Sequence, residues 1–267
     1  MARIQSCSAL LVAVAVAIGC GSGKSQNASA GSTNAGAPQA TSAQPAAAPS
    51  QGAPDGSASI TGTIRLDGQA PKGEAVKMNA DPACQAAHPT PLLSEDIAVT
   101  ESGLLKHVFV YAKEGVKGTY PAPATPVQLD QAGCWYTPHV FGIQANQPLE
   151  IVNSDATLHN VNAKPAANQP FNVAQPVKGM KTTKKFAKPE IMVSFKCNVH
   201  PWMHAYAGVV EHPFFAVSGA DGSFTISGLP AGTYVLEAWQ EKLGTQSQTV
   251  TVGEGESKSV ELTFKAP

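Results

Sequence analysis

FKCNVHPWMHAY, residues Phe195–Tyr206, holds a cysteine, two histidines and a methionine within eight consecutive positions. Thiolate, imidazole and thioether groups are side-chain ligands of soft and borderline metal ions. The preceding segment IMVSFK, Ile191–Lys196, places apolar side chains at every second position, which predicts a half-buried β-strand. The pattern therefore predicts a strand that runs directly into Cys197 and a metal site on the turn that follows.

The N-terminal residues predict export. MARIQSCSALLVAVAVAIGC, residues 1–20, has one early charge and an apolar run that ends two residues before Cys20. This is typical of a secretory signal and too short for a membrane span. The ending AIGC resembles a bacterial lipobox in which Cys20 would be acylated, although Ala17 replaces the usual leucine and leaves plain cleavage open. With Gly21 next, we expect an exported, periplasmic or cell-envelope lipoprotein, anchored in the outer membrane if the cell has one.

A linker is predicted after this signal. Residues 21–57 are small and polar, and Lys24 and Asp55 are their only charged side chains. Such a composition cannot bury enough apolar surface to fold, so we expect a disordered tether. The formal net charge of the whole chain is −1 at pH 7, which gives no indication of nucleic-acid binding.

The cysteines indicate one disulfide and one free thiol. Cys7 and Cys20 belong to the signal, which leaves three cysteines for the folded part. Export favours disulfides, and three cysteines allow one pair with one left over. Cys197 is the cysteine surrounded by metal-binding side chains, so we pair Cys84 with Cys134 and expect a free thiolate at Cys197.

The rest of the chain reads as all-β. Apolar and polar residues alternate with period two, Gly and Pro separate the segments, and no helical periodicity is sustained. A Pro-rich stretch, TYPAPATP at 119–126, is a candidate domain boundary. Besides Ile191–Lys196, the predicted strands are a segment around Ile60–Leu66 and His107–Ala112, Pro148–Asn153, Ser223–Ser227, Thr233–Trp239 and Ser259–Phe264.

A second histidine motif lies upstream. In PLEIVNSDATLHNV, a predicted strand ends at Asn153 and is followed by His159 and Asn160. Mononuclear electron-transfer copper sites combine two imidazoles, one thiolate and a weak axial thioether. The motifs NSDATLHNV and CNVHPWM resemble the two ligand motifs of the cupredoxins, the type 1 blue copper proteins, with a short amicyanin-like C-x-x-H-x-x-M loop. The resemblance covers roughly residues 127–210.

This resemblance implies a Greek-key β-sandwich with one type 1 copper ion. By analogy its ligands would be His159, Cys197, His200 and Met203, and Asn160 would tie the two ligand loops together. Two other readings stay open. Cys197 and Met203 would otherwise be inert core residues, or zinc would be bound by Cys197, His200, His159 and His204.

The C-terminal part resembles a second family. SGADGSFTISGLPAGTYVLEAW, residues 218–239, is similar to carboxypeptidase regulatory-like domains, which are small prealbumin-like β-sandwiches. ITGTIRLDGQAP, residues 60–71, resembles their opening strand. We therefore expect a copper domain at 126–210 inserted into a smaller sandwich formed by 58–125 and 211–267. A cupredoxin followed by a separate C-terminal sandwich is the alternative, and no chemistry is assigned to this smaller domain.

The resemblance implies electron transfer rather than catalysis, because four ligands leave no open position for a substrate. His200 would be the exposed edge for electron passage, with Pro201 and Trp202 forming an apolar contact patch. The partner would be a redox protein such as a c-type cytochrome or an electron-transfer complex, and the lysines of residues 178–188 would steer an acidic one.

Three other functions stay open: copper delivery by a lipoprotein, an envelope scaffold with a structural metal, and an oxidase subunit. An oxidase would need a second copper site, for which only His107, His139 and His204 are candidates. His88, His107, His139 and His212 have no partners at metal spacing along the chain, so each is expected to be a surface or interface residue.

Overall fold

The computed structural model describes residues 56–79 and 81–267. The predicted signal with its Cys20, and the predicted linker up to residue 55, lie outside the described residues. Within this part of the chain no helix is long and apolar enough to cross a membrane. The described residues form sixteen strands and one six-residue helix, which confirms the all-β prediction.

The elements follow one another with short connections except between the first two strands. In chain order they are β1 (Ala58–Asp67), α1 (Pro82–Ala87), β2 (Phe109–Glu114), β3 (Val127–Gln131), β4 (Tyr136–Thr137), β5 (Val140–Gln144), β6 (Leu149–Asn153), β7 (His159–Lys164), β8 (Phe171–Gln175), β9 (Lys181–Lys184), β10 (Glu190–Lys196), β11 (His204–Val210), β12 (Phe215–Val217), β13 (Ser223–Leu229), β14 (Gly232–Gln240), β15 (Gly244–Val252) and β16 (Ser257–Lys265).

One sandwich, here called the flanking sandwich, combines strands from both ends of the described chain. Its sheets have the strand orders β13-β1-β16 and β12-β2-β14-β15. β1 runs antiparallel to β13 and parallel to β16, while β2 lies between β12 and β14. Alternation along each strand directs apolar side chains to the space between the sheets. The buried core includes Ile60, Ile64, Val110, Phe224, Leu236, Leu262 and Phe264.

The other sandwich, here called the middle sandwich, contains the strands from β3 to β11. Its sheets have the orders β5-β11-β10-β7-β8 and β4-β3-β6-β9. It contains two parallel pairs, β3 with β6 and β5 with β11. Its own buried core includes Leu129, Ile143, Ile151, Val161, Phe186, Phe195 and Val209. The chain therefore enters and leaves the middle sandwich between strands that pair within the flanking one.

The two sandwiches pack through an aromatic contact. Phe109 of β2 and Phe215 of β12 lie with their rings 5.7 Å apart against β5 and β11. Gly142 and Gly208 permit this approach, because a Cβ on Gly208 would lie 2.4 Å from the Phe109 ring. The absence of a side chain at these two positions lets the backbone of the middle sandwich contact the rings directly.

Residues 68–108, here called the covering segment, join β1 to β2 and contain α1. Asp81 caps this helix by accepting backbone hydrogen bonds from Ala83 and Cys84 at 2.8 and 3.3 Å. Cys84 is fully buried in the core of the middle sandwich. The covering segment therefore starts and ends in the flanking sandwich and packs its helix onto the middle one.

Candidate metal centre

His159 is the first residue of β7 and is fully buried. Its Nε2 lies 2.9 Å from Oδ2 of Asp155, so the ring nitrogen donates to the carboxylate. Its Nδ1 then carries a lone pair and lies 2.9 Å from Nδ1 of His200. His200 is arranged in the same way, since its Nε2 lies 3.0 Å from Oδ2 of Asp81.

Two imidazole lone pairs therefore face each other in a buried space. Such an arrangement is repulsive unless a proton or a metal cation lies between the nitrogens. Cys197 contributes its thiol to the same place, with its Sγ 3.8 Å from Nδ1 of His200. His159, Cys197 and His200, here called the Cys197 cluster, present ligand atoms that all lie within 4.8 Å of one another and fit a metal ion.

The turn after β10 has a closed hydrogen-bond pattern. The amide of Cys197 donates to the carbonyl of Met203 at 3.1 Å, and the amide of Met203 donates to the carbonyl of His200 at 2.9 Å. The amide of His200 donates to Sγ of Cys197 at 3.4 Å. Met203 is 1% exposed and belongs to the same core as Cys197. The turn thus brings the three ligand types of the quoted stretch to one end of the sandwich.

Asn160 connects the histidine strand to this turn. Its Oδ1 accepts the backbone N–H of Asn198 at 2.7 Å and lies 3.5 Å from Sγ of Cys197. Its Nδ2 donates to Oδ1 of Asn172 at 2.6 Å. The hydrogen bonds of Asn160 to Asn172 and Asn198 therefore hold β7, β8 and the turn of Cys197 in fixed relative positions around the thiol.

The carboxylates behind the imidazoles were not predicted from the sequence. Asp155 accepts the backbone N–H groups of Gly133 and Cys134, both at 2.7 Å, in addition to His159. Burial by itself raises the pKa of Asp155, but these hydrogen bonds outweigh burial and lower the pKa below its ordinary value. Histidines that bind metals commonly donate their other N–H to such a carboxylate, which orients the ring.

The protonation state of His159 suits a ligand. Burial lowers the pKa of His159, although the hydrogen bond to Asp155 opposes this effect. A neutral imidazole is the form that binds metal ions.

His200 is not the exposed edge that the sequence resemblance implied. It is only 2% exposed because the covering segment lies over it. Sγ of Cys84 is 3.5 Å from its Nε2, on the side where Asp81 accepts the hydrogen bond. Trp202 is half-buried and donates to the carbonyl of Cys134 at 3.0 Å. Pro201 of the expected contact patch is exposed. Val199, on the other side of His200 in the sequence, is 46% exposed.

Cys84 and Cys134 form a disulfide with their Cα atoms 5.4 Å apart, and Cys197 is a buried free cysteine. Because Cys84 lies in α1 and Cys134 between β3 and β4, the bond fastens the covering segment to the middle sandwich.

The remaining histidines divide into two kinds. His88 contacts the carbonyl of Gly133 at 2.6 Å, and His212 packs against Phe214. By contrast, His107 and His139 have histidine partners from distant parts of the chain, and His139 is buried where the two sandwiches meet. The ring of His139 lies 5.5 Å from that of His107 and 5.0 Å from that of His204. Residues far apart in the chain meet here because strands of both sandwiches end at this place, a proximity that sequence spacing does not reveal.

Comparison with known proteins gives partial matches. Residues 211–260 match the family model described as polysaccharide lyase family 4, domain II. No curated protein matches the sequence. The carboxypeptidase regulatory-like, prealbumin-like character of the C-terminal part therefore stays a prediction.

Solved copper proteins resemble part of the chain. A Cu-containing nitrite reductase from Thermus scotoductus SA-01 is 23% identical with a TM-score of 0.31, covering 37% of this chain and 25% of that one. A Cu(I) mutant form of amicyanin is 17% identical with a TM-score of 0.28, covering 32% and 81%. A purple cupredoxin from Nitrosopumilus maritimus is 20% identical with a TM-score of 0.27, covering 31% and 97%.

The chain spans about a quarter of the length of the nitrite reductase that it matches. TM-scores of 0.27 to 0.31 are too low to carry a conclusion about this chain. The chemistry of the Cys197 cluster therefore has to be argued from its own side chains.

Proposed function

We propose that this protein is an exported type 1 copper protein that carries single electrons between redox partners in the cell envelope. The observation that carries the proposal is the convergence of two buried imidazole lone pairs and one buried thiol in the Cys197 cluster. His159, Cys197 and His200 would hold the ion, with Met203 as the weak fourth ligand. Bound copper would supply one-electron chemistry by alternating between Cu(II) and Cu(I).

The donor set favours copper over zinc. A thiolate and a thioether are soft ligands that stabilise Cu(I), while imidazole suits both oxidation states. The fourth ligand in a zinc reading would be His204, but its Nε2 contacts Asp96 at 3.2 Å and Glu241 at 3.6 Å instead. With His204 engaged elsewhere, the buried Met203 is the better candidate for the fourth position.

The surroundings of the cluster would hold its geometry constant. Asp81 and Asp155 fix the two rings from behind, and Asn160 holds the thiol-bearing turn. The disulfide and the covering segment exclude water from His200. Ligands that keep their positions in both oxidation states suit electron transfer, because little rearrangement accompanies the change in charge.

The contact surface for a redox partner would lie beside the covered His200 rather than on it. Val199 and Pro201 are exposed and lie on either side of His200 in the sequence, so they provide the apolar patch closest to it along the chain. Five exposed or half-exposed lysines of residues 178–188 would attract an acidic partner, such as a c-type cytochrome, and raise its association rate. A lipid anchor at Cys20 would keep this encounter at a membrane.

We also propose that residues 126–210 form the copper domain and that 58–125 with 211–267 form one regulatory-like sandwich around it. The pairing of β1 with β13 and β16, and of β2 with β12 and β14, supports this division. The flanking sandwich would serve as a scaffold without chemistry of its own.

One observation favours a second candidate, an envelope scaffold in which the metal only stabilises the fold. His200 is 2% exposed, whereas a residue that passes electrons to a partner benefits from direct contact. In that case loss of the thiol at Cys197 would lower stability without removing any electron flow.

Rapid mixing of the copper-loaded protein with a reduced c-type cytochrome separates the two candidates. We expect one cytochrome to be oxidised per copper ion, and we expect no oxidation with zinc-loaded protein or with Cys197→Ser. A cytochrome that stays reduced, while a small reductant still reduces the copper, would favour the scaffold.

A further inference from the structure

A second group of metal-type side chains lies between the two sandwiches. His139 directly precedes β5, His204 is the first residue of β11, and Glu241 directly follows β14. The first two belong to the middle sandwich and the third to the flanking one. Their ligand atoms all lie within 4.8 Å of one another, and this trio is here called the His139 cluster.

One of the two histidine–carboxylate distances is already close to the separation between two ligands of a metal ion. Nε2 of His139 lies 2.5 Å from Oε1 of Glu241, and Nε2 of His204 lies 3.6 Å from Oε2 of the same carboxylate. Ligand atoms that bind an ion tetrahedrally at about 2.1 Å lie about 3.4 Å apart. The His204 distance therefore fits, while an ion would have to replace the direct His139–Glu241 contact and separate the two atoms by about 0.9 Å.

His204 has the orientation of a ligand. Its Nδ1 lies 3.0 Å from the carbonyl of Trp202, so Nδ1–H donates to the backbone. Nε2 is then an acceptor that faces only acceptors, Glu241 and Asp96 at 3.2 Å. Either a second proton on the ring or a cation must compensate for this arrangement.

Two buried polar atoms of the cluster lack hydrogen bonds to any described residue. These are Nδ1 of His139 and Oε2 of Glu241, whose side chains are 1% and 3% exposed. Buried polar atoms are nearly always paired, and an unpaired carboxylate oxygen is costly.

The neighbouring charges are mainly negative. Glu95 accepts from Trp135 at 2.8 Å, contacts His107 at 3.2 Å and lies 3.8 Å from Nδ1 of His139. That position suits a carboxylate that would orient the ring of His139 with Nε2 towards an ion. Asp96 lies on the other side and pairs with Lys242 at 3.1 Å. Its side chain is 35% exposed and lines a surface groove of about 210 Å³, and the side chain of His204 beside it is 22% exposed.

We propose that His139, His204 and Glu241 bind a divalent transition-metal ion of the Zn²⁺, Fe²⁺ or Cu²⁺ class. Two imidazoles and one carboxylate are a donor set that these ions accept, and three protein ligands leave a position for water or a small ligand. The ion would link the two sandwiches. This site is independent of the proposed electron transfer, although the peptide bond from Met203 to His204 connects the two clusters directly.

The test is a metal count on the full chain after copper loading. The protein is titrated with Zn²⁺, freed of loosely bound ions and analysed for both metals. We expect one copper and one zinc per chain, and Glu241→Gln should bind zinc at least 100-fold more weakly while its copper spectrum is unchanged. Glu237→Gln is the matched control, because Glu237 is a buried carboxylate of β14, the strand that Glu241 follows, and it bonds Tyr111 and Lys113. It should bind zinc like the wild type.

Co²⁺ provides a second measurement in the wild type alone, should Glu241→Gln fold poorly. A copper-loaded protein that binds one Co²⁺ with the visible absorption of a nitrogen- and oxygen-ligated ion would support the site. Equal zinc binding by wild type and Glu241→Gln, or no Co²⁺ binding by copper-loaded wild type, would overturn it. If only the Cys197 cluster failed to bind, one zinc ion would remain and would still depend on Glu241, so the two proposals fail separately.

Discussion

Asn160 makes three side-chain contacts that link β7, β8 and the turn after β10. Its replacement by alanine would leave the partly buried N–H of Asn198 without its acceptor, which costs about 1–3 kcal/mol. We therefore expect Asn160→Ala to lower the free energy of unfolding by that amount and to weaken copper binding about 10–100-fold, as changes behind metal ligands do. Chemical denaturation and competition with a chelator measure the two effects.

Asn162→Ala is the matched control for this change. Asn162 lies on the same strand and also bonds Asn198, but through an exposed side-chain contact of 3.1 Å. We expect little effect on stability or copper binding, because water replaces an exposed partner. Equal effects of both alanines would show that Asn160 has no special role at the thiol.

Spacing along the sequence explains why part of the Cys197 cluster lies together, but it does not reveal the residues that surround the cluster. Cys197, His200 and Met203 lie within seven residues, so local spacing brings them together whatever the rest of the chain does. Asp81 meets His200 across more than a hundred residues, and His139 meets Glu241 in the same way. Asp81 and His139 lie outside every predicted strand, so only the tertiary structure reveals these two pairs.

α1 is held over His200 by its disulfide rather than by its length. A six-residue helix is too short to be stable alone, and it has one buried side chain, Cys84. The covering segment has no alternating pattern, so the sequence predicted a disulfide but no cover. This explains why His200 was expected to be exposed.

Replacing both Cys84 and Cys134 by serine should therefore loosen the covering segment. The bond closes a loop across a sequence separation of 50, for which the chain-entropy relation gives about 4 kcal/mol. We expect urea denaturation to show a free energy of unfolding that is lower by up to that value. We also expect His200 to become accessible to a histidine-modifying reagent. Unchanged stability together with a still protected His200 would contradict this role of the bond.

In the flanking sandwich, the environment of Glu237 in β14 predicts that the free energy of unfolding depends on pH. Burial by itself raises the pKa of Glu237, but hydrogen bonds from Lys113 at 2.5 Å and Tyr111 at 2.8 Å lower it below the ordinary value of 4.5. A lowered carboxyl pKa stabilises the fold above the unfolded-state value, and this contribution is lost as pH falls through the folded-state value. The free energy of unfolding therefore rises with pH in this range, because the unfolded chain binds the proton more readily than the folded chain.

We therefore expect Glu237→Gln to be less stable than wild type at pH 7, with the difference shrinking below about pH 4.5. Thermal unfolding at several pH values measures it. Glu254→Gln, a change at an exposed glutamate, should show no such trend. A difference for Glu237→Gln that is constant from pH 7 to pH 3 would contradict the proposed hydrogen-bonded carboxylate.

The C-terminal strands do not form a complete sandwich by themselves, because two strands of the flanking sandwich precede the middle sandwich in the chain. β1 is the central strand of one sheet, and β2 lies inside the other, yet both precede residue 115. The matched family model covers 211–260 and therefore lacks both strands. Sequence patterns identified most of these strands. They did not reveal the pairing, because the paired strands are separated in the chain by the whole middle sandwich.

A fragment of residues 211–267 should consequently remain unfolded. Without β1 and β2, β13 and β16 lose their shared neighbour, and β14 loses one of its two hydrogen-bonded neighbours. We expect a circular dichroism spectrum of an unfolded chain. Joining 56–125 to 211–267 through a short linker should restore cooperative unfolding. A fragment that folds alone would contradict the proposed insertion and favour two successive domains.

The Cys197 cluster is the feature on which the proposed function depends, and its absorption spectrum tests it most directly. The full chain is loaded with Cu(II) and compared with Cys197→Ser and with Glu241→Gln. We expect an intense blue thiolate-to-copper band that a reductant bleaches, that the serine variant lacks and that the glutamine variant keeps. A colourless protein that takes up zinc at the same residues would contradict the redox copper centre and make FKCNVHPWMHAY a structural metal clamp.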